Sequence, residues 1–274
     1  MNVVALGLAA AFVNAGQSLF NKKLTDRYPA RPMIGVLLLL NFLVLLPLAP
    51  FVEWHWSPQI VTLHVVSALL LVMSSVPIWD LFDSGAASAT TTAQALSPLA
   101  AALGAALLIP GSTSVGQIVA AVVVVIGVIW ALQGAFTGLG RVGSTVRIVL
   151  VASGFGLLTV VTRMLVDEGA GVVEIYVTRT GLAAAAMLLL IPPRGIPRSA
   201  TPLLFARALV VTTYFVLVIL AVQQGSPVVV QTLVAITPLL ILGVESVRSR
   251  TWPAPRAIGG AILVVVGVVL VLAL

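Results

Sequence analysis

The fold of this chain follows from the stretch Gly225-Ser-Pro-Val-Val-Val-Gln-Thr-Leu-Val-Ala-Ile-Thr-Pro238. A shift of 140 residues, from 225 back to 85, places it on Gly85-Ala-Ala-Ser-Ala-Thr-Thr-Thr-Ala-Gln-Ala-Leu-Ser-Pro98. The match continues without a gap to residues 134 and 274, with twelve of the fifty positions identical. The same shift pairs Gly16 with Gly156 and Lys23 with Arg163. The sequence therefore predicts an internal duplication of the whole chain.

Composition places both halves in a membrane. Of 274 residues, 60% are hydrophobic and 8% are charged, whereas soluble domains carry about 25% charged residues. Apolar runs of about twenty residues recur along the chain, and each can cross a hydrocarbon layer of roughly 30 Å. The chain has no cysteine, which excludes disulfides and thiol chemistry. Because Lys22 and Lys23 follow the first apolar run and no basic residue precedes it, we expect a retained helix rather than a cleaved signal peptide.

Proline and glycine residues at the junctions divide the chain into ten predicted spans. Numbered 1 to 10, they cover residues 2–21, 32–52, 59–79, 85–109, 114–134, 145–165, 171–191, 201–222, 226–247 and 255–274. Five helices per half is an odd number, so the second half must enter the membrane from the opposite side. We therefore predict an all-α membrane protein of two inverted five-helix repeats, 1–134 and 141–274, around a central cavity.

Lysine and arginine are concentrated on one side of the membrane. We call side Y the side that holds the connections 1–2, 3–4, 5–6, 7–8 and 9–10. Eleven basic residues lie there and one, Arg163, lies on the other side; the eleven are Lys22, Lys23, Arg27, Arg31, Arg141, Arg147, Arg194, Arg198, Arg248, Arg250 and Arg256. Basic loops remain cytoplasmic, which predicts a cytoplasmic side Y and both termini outside, in a prokaryotic plasma membrane.

Polar residues inside the spans are the candidate site residues, because a polar group in hydrocarbon needs a partner or a wet cavity. Asn14, Gln17 and Asn21 share one face of span 1. Span 4 contributes Thr91 and Gln94, and span 9 contributes Gln231. These residues are predicted to line the substrate path; the alternative is hydrogen bonding between helices.

Two prolines recur in register in spans 4 and 9. Ser97-Pro98 and Thr237-Pro238 occupy equivalent positions in the two repeats. Proline removes a backbone hydrogen bond and frees a carbonyl group. Pro98 and Pro238 are therefore predicted hinges, and the alternative is a static kink satisfied by the adjacent hydroxyl.

Two arginines lie within the spans. Arg179 is about nine residues into span 7, which is roughly 13 Å of helix and places it near the midplane. With Tyr176 on its face, Arg179 is a candidate anchor for an anionic or carboxylate-bearing substrate, and the alternative is a buried ion pair with another helix. In span 8, Tyr214 is a further candidate binding residue and shares a face with Arg207. Because Arg207 is about two turns from side Y, we expect it to extend to the interface.

Three residues are candidates for ion coupling. Glu174 lies near the start of span 7, and His64, in span 3, is the residue type that titrates near neutral pH. Asp80 ends span 3, where gating, coupling and simple solvation are alternatives. No pattern of metal ligands or of cofactor binding occurs, so neither is expected.

The five-plus-five duplication resembles the drug/metabolite transporter superfamily, and specifically its EamA-type members. The resemblance rests on the small-residue helix ending in Ser/Thr-Pro, the Gly-Val helix that follows it, Gly16 and Lys23 with their counterparts, and Arg179 in span 7. It implies helices around a central cavity that move small metabolites by alternating access.

The chain departs from that family in three respects. Members often have a glutamate about thirteen residues after each repeat's proline, where this chain has Gly111 and Thr251. The related small multidrug exporters exchange protons for cations through a first-helix carboxylate, where this chain has Asn14 and, in the second repeat, Gly154. Members often have cytoplasmic termini, whereas the basic residues here predict the reverse.

We therefore predict a secondary transporter or facilitator for a small polar metabolite, anionic or zwitterionic and amino-acid-like. The alternative is a flippase for a lipid-linked phosphate or sugar headgroup. No motif of an intramembrane protease, hydrolase or diphosphate enzyme occurs, so an enzyme is not expected. The predicted partners are the substrate and membrane lipid, not nucleic acid. Proton coupling is left open, as is the choice between monomer and homodimer.

Overall fold

The structure, a computed structural model, describes residues 2–84, 87–131 and 142–274, without the side chains of 87–89 and 142–144. These residues contain twelve α-helices, two short 3-10 helices and no strand. The first repeat contributes α1 (Val3–Thr25), α2 (Ala30–Leu45), α3 (Pro58–Ser84), α4 (Ala87–Ala95), α5 (Ser97–Leu108) and α6 (Val115–Ala131). The second contributes α7 (Val142–Asp167), α8 (Val172–Leu190), α9 (Thr201–Gln224), α10 (Pro227–Val234), α11 (Thr237–Ser249) and α12 (Pro255–Ala273).

The helices confirm the predicted class. Within the described part of the chain, nine helical segments are long and apolar enough to cross a membrane, and α6 is a shorter apolar helix. Spans 1, 2, 3, 5, 6, 7, 8 and 10 correspond to α1, α2, α3, α6, α7, α8, α9 and α12. The predicted end of span 5 at 134 and the boundary between the repeats lie outside the described residues, so the two domain ranges stay predictions.

Spans 4 and 9 are each broken into two helices. The break falls at Leu96 in span 4 and at Ala235 and Ile236 in span 9. In both places proline occupies the first turn of the second helix, α5 or α11, where the missing N–H has no helical partner to lose. The recurring Ser/Thr-Pro pair therefore begins a new helix in each repeat.

The ends of spans 2 and 3 differ from the prediction. Span 2 leaves the α-helical form after Leu45 and continues as a 3-10 helix, Leu46–Phe51, which contains Pro50. Span 3 continues past the predicted end at residue 79 to Ser84. Asp80 therefore belongs to the helix rather than to a loop.

The helices pack in pairs that the shift of 140 residues interchanges. The closest associations are α6 with α12, α2 with α8, α3 with α7, and α1 with α9. The first two each join a helix to its own counterpart, and the last two exchange with each other when the repeats are exchanged. This pattern is the one that a two-fold relation between the repeats would produce.

Backbone contacts between α6 and α12 follow the same relation. A Cβ atom on Gly127 would lie 2.8 Å from the amide nitrogen of Val264, and one on Gly267 would lie 3.0 Å from that of Val124. The shift of 140 residues carries the first pair onto the second. Glycine is required at both positions because the two helices approach backbone to backbone, as small residues allow in membranes.

The first helix of each repeat also ends in the same way. Lys22 binds the carboxylate four residues later at 2.8 Å and donates to the carbonyl oxygen of Phe82 at 3.3 Å. Arg163 binds its own i+4 carboxylate at 2.8 Å and donates to the carbonyl oxygen of Val222 at 3.1 Å. Phe82 and Val222 are equivalent positions. In each repeat, a basic side chain at the end of the first helix therefore binds the backbone of the third helix.

Candidate functional site

A cavity lies at the centre of the bundle, between spans 1, 2, 3, 4, 6 and 8. Its polar lining consists of Gln17, Asn21, Asn41, Ser75, Gln94 and Arg207. Its apolar lining consists of Ile34, Leu37, Leu38, Leu71, Ile78, Trp79, Phe155, Val211 and Phe215. The volume is about 40 Å³, which holds a few water molecules and is far below the roughly 300 Å³ of a small-ligand pocket. The structure is therefore closed around this site, and larger depressions, such as that beside Trp252, lie at the surface.

Arg207 supplies the positive charge of the cavity. Its side chain is 5% exposed, so the expectation that it extends to the interface is wrong; the reason is that α9 packs against α1 and turns this face inward. Its Nε donates to Asn21 Oδ1 at 2.9 Å, and its guanidinium carbon lies 5.4 Å from the ring centroid of Trp79. Among the described residues, no carboxylate lies within 4.0 Å of it. The guanidinium is held in position but its charge is not neutralised.

Amide oxygen atoms supply unused acceptors. Gln17 Oε1 and Asn41 Oδ1 are buried, and neither has a hydrogen-bond partner in the described part of the chain. Both residues line the cavity. A buried polar atom without a partner is costly, and a bound donor at this place would remove that cost. The cavity therefore offers a cationic group, two acceptors and an apolar wall of leucine and isoleucine.

A second set of polar contacts joins the helix breaks of spans 4 and 9 to each other and to span 1. Asn14 Nδ2 donates to Gln94 Oε1 at 3.4 Å and to Thr237 Oγ1 at 3.3 Å. Ser97 Oγ donates to Gln231 Oε1 at 2.6 Å. Each break is thus bound to a residue of the other repeat or of span 1.

Comparison with known proteins finds a family similarity in the second part of the chain. The model of the EamA-like transporter family matches residues 145–273, which fall within the second predicted repeat. The chain carries an EamA-like transporter domain. The match bears out the resemblance to EamA-type members of the drug/metabolite transporter superfamily over these residues, and that family consists of membrane transporters of small molecules. The family is one of transporters, not of enzymes.

Solved structures support the fold over the whole length. Twenty-eight chains of solved structures match significantly. One of them, a crystal structure of a protein, superposes with a TM-score of 0.73 at 17% sequence identity and covers 98% of this chain and 98% of its own. At that identity the likeness concerns the fold alone. A search of curated proteins finds no significant match.

Only two of the predicted binding residues line the central cavity, namely Gln17 and Gln94. Tyr214 lies behind the lining, its ring centroid 5.0 Å from that of Phe215. Tyr176 binds the hydroxyl of Thr212 at 2.7 Å. Thr91 is buried in α4.

Gln231 holds span 9 against span 6. Its Nε2 donates to the hydroxyl of Thr159 and, at 3.3 Å, to the carbonyl oxygen of Phe155. Since Phe155 is a cavity residue, Gln231 positions the wall without touching the space. At the break in span 9, the Thr237 hydroxyl of α11 donates to the carbonyl oxygen of Val234, the last residue of α10, at 2.7 Å. The hinge role of Pro98 and Pro238 stays a prediction.

Arg179 lies outside the cavity lining. It is 2% exposed and donates to the hydroxyl groups of Ser67, in span 3, and Thr162, in span 6. No carboxylate lies within 4.0 Å of it in the described ranges, which removes the ion-pair alternative there. Arg179 therefore joins three helices through two hydroxyl groups.

Asp80 is bound by two arginines at the side-Y end of the cavity. Arg31, in span 2, makes a two-pronged contact with both carboxylate oxygens at 2.8 Å, and Arg147, in span 6, lies 3.7 Å away. Its side chain is 13% exposed, so the alternative of simple solvation is wrong. Asp80 adjoins Trp79 in sequence, and Arg31 is one helical turn from Ile34. Because both neighbours line the cavity, the ion pair lies next to its side-Y end.

The cavity residues that were not among the predicted binding residues include Asn41, Ser75, Trp79 and Arg207. Asn41 carries a usable signal, because it is the single amide in an otherwise apolar span. Arg207 was interpreted from its depth alone. Ser75 and Trp79 are residue types that occur at many positions in such spans, so their roles appear only in the packing.

Proposed function

We propose that this EamA-like transporter moves a small zwitterionic solute of the amino-acid type across the membrane by alternating access. The observation that carries the proposal is the pairing of Arg207 with the unpaired oxygen atoms of Gln17 and Asn41 in one cavity. A carboxylate binds a guanidinium in a charge-assisted contact, and an ammonium group donates to amide oxygens. Leu37, Leu38 and Leu71 favour an apolar side chain between them.

We assign the binding of the substrate carboxylate to Arg207 rather than to Arg179. Arg207 lines the cavity, whereas Arg179 is bound by two hydroxyl groups away from it. The closed cavity of about 40 Å³ supports an occluded state that must open toward each side in turn. The excess of basic residues supports a cytoplasmic side Y, with both termini outside, in the plasma membrane of a prokaryote.

The flippase alternative gains no comparable support. A headgroup that crosses with its lipid needs a polar opening toward the bilayer. The crevice between spans 4, 5 and 6 faces outward, but its lining, which includes Leu103, Leu107 and Ile129, contains no charged residue. Neither Arg179 nor Arg207 reaches it.

The test is counterflow of radiolabelled L-leucine into proteoliposomes, with L-threonine, L-glutamate and L-lysine as a panel. Isocaproate and isoamylamine present the leucine side chain with the carboxylate or the amino group alone. We expect a zwitterion of the panel to exchange and neither truncated compound to do so, because each leaves one end of the cavity unpaired.

The matched variants are Arg207→Met and, as control, Arg194→Met at an exposed loop position. A charge-assisted hydrogen bond contributes about 1.5–3 kcal/mol, so Arg207→Met should raise KM about 10- to 150-fold and the control should not change it. Size-exclusion profiles verify that both variants are folded. Unchanged KM in Arg207→Met, or transport of isoamylamine as fast as of the amino acids, would contradict the proposal.

A further inference from the structure

A file of polar side chains runs inward from the side of the membrane opposite to side Y. His55, in the connection before α3, is partly exposed, with 41% of its side chain accessible. Its Nδ1 lies 3.1 Å from Oε2 of Glu174, in the first turn of α8. Oε1 of Glu174 is in turn 3.7 Å from Nε2 of His64. Glu174 and His64 are both almost completely buried.

Neither ring nitrogen of His64 has a hydrogen-bond partner among the described residues. A buried imidazole without partners, at a distance just beyond a hydrogen bond from a buried carboxylate, is costly. One proton taken up by the pair would satisfy it, because a shared proton joins the two groups directly. The charged or titratable groups that face the pair are His55 from the connection before α3 and Arg179 from α8.

We propose that Glu174 and His64 form a proton-binding site that is loaded through His55 and that couples transport to the proton gradient. The proton comes from water on the side opposite to side Y, passes by way of the His55 imidazole to a carboxylate oxygen of Glu174, and is shared with Nε2 of His64. In the state that is open toward side Y the proton is released to that side, so that each transport cycle carries one proton across the membrane. The coupling part of this inference rests on the proposed function; the proton site itself does not.

The contacts of Glu174 supply the link between the proton and the conformation. Its carboxylate accepts from the backbone N–H of His55 at 3.2 Å and from that of Gly171 at 3.3 Å. Protonation removes the negative charge that strengthens both bonds. The connection before α3 is then held less tightly against the start of α8, which favours opening on this side of the membrane.

The same helix packs against the wall of the substrate cavity. Tyr176, two residues after Glu174, lies with its ring centroid 6.2 Å from that of Phe215, which is part of the cavity wall. The Tyr176 hydroxyl is bound to Thr212, on the same helix as Phe215. A shift of the start of α8 therefore moves the wall against which the solute packs.

The proton site is tested first without any solute. Infrared difference spectra of the reconstituted protein are recorded as the pH is lowered from about 8 to about 5. We expect a protonated-carboxyl signal that is lost in Glu174→Gln and kept in Glu168→Gln. The control residue is also on this side, but it is exposed and bound to Gln59. An unchanged signal in Glu174→Gln would overturn the proposal.

If Glu174→Gln does not fold, the same infrared measurement on His64→Gln tests the proton site. The midpoint pH of the carboxyl signal should then differ from that of the wild type, because the neighbour that shares the proton is gone. An unchanged midpoint would show that His64 has no part in the site.

Coupling is tested by comparing two transport modes for the panel amino acid that exchanges. Accumulation driven by a pH gradient requires net proton movement, whereas counterflow does not. We expect Glu174→Gln to lose accumulation and keep counterflow, and Glu168→Gln to keep both. Loss of both modes in folded Glu174→Gln would show a structural role and overturn coupling. Absence of counterflow in the wild type would contradict the proposed substrate, and the infrared signal would still decide the proton site.

Discussion

Neutralising Asp80 should open the side-Y end of the cavity. Asp80 is held by Arg31 and faces Arg147, so Asp80→Asn removes the ion pair and leaves two cationic side chains next to each other. Because Arg31 is more than half exposed, the pair stabilises closure by about 1 kcal/mol at most. One kcal/mol corresponds to a roughly fivefold rise in the open population.

Because the chain has no cysteine, the opening of the side-Y end can be measured by labelling one introduced thiol. Ser75 lines the cavity, and Ser75→Cys introduces a single thiol of nearly the same size. Its rate of labelling by a membrane-impermeant maleimide from side Y reports how often that end is open. We expect about a fivefold faster rate when Asp80→Asn is added.

Asp83→Asn is the matched control. Asp83 is the same residue type one turn further along α3 and is exposed, and no ion pair joins it to a described residue. Its neutralisation should leave the labelling rate unchanged. Equal rates in all three proteins, or equal acceleration by both substitutions, would refute the assignment of the Asp80 pair as a closure.

Two further predictions concern stability in detergent, measured by thermal unfolding. Gly260→Ala should destabilise the protein by about 1–3 kcal/mol, because the new Cβ would lie 2.5 Å from the carbonyl oxygen of Gly127. The control, Gly243→Ala, has open space around it and should not destabilise. Equal unfolding temperatures for the two variants would contradict the packing of α6 against α12. Gln231→Leu removes hydrogen bonds to Ser97, Thr159 and a backbone carbonyl. At about 0.6 kcal/mol for each hydrogen bond in a membrane, the free energy of unfolding should fall by about 2 kcal/mol. Wild-type stability of this variant would show that these bonds are not made.

The chain's own pattern was sufficient for the fold. Apolar runs predicted the spans, since backbone groups in lipid must be satisfied within a helix. Proline positions marked where spans 4 and 9 begin a second helix, because proline cannot donate the N–H that would continue the first. The repeat also predicted which helices correspond, and the pairing of α6 with α12 follows that correspondence.

The sequence could not decide which arginine faces the cavity. Helical periodicity shows that residues share a face, as Arg207 and Tyr214 do, but not where that face points. In a soluble protein the hydrophobic pattern would orient each helix. In a membrane the lipid and the neighbouring helices are equally apolar, so that signal is weak, and depth alone misplaced Arg207.

What the sequence by itself determined is therefore the all-α membrane class, the approximate positions of the spans, and the prolines next to which spans 4 and 9 break. What only the tertiary structure decided is which polar groups meet: Arg207 with Asn21, Asp80 with Arg31, and Glu174 with two histidines. The partners in these contacts are separated by 49 to 186 positions in the chain. No local sequence pattern predicts contacts between residues so far apart in the chain, because these contacts depend on how whole helices pack.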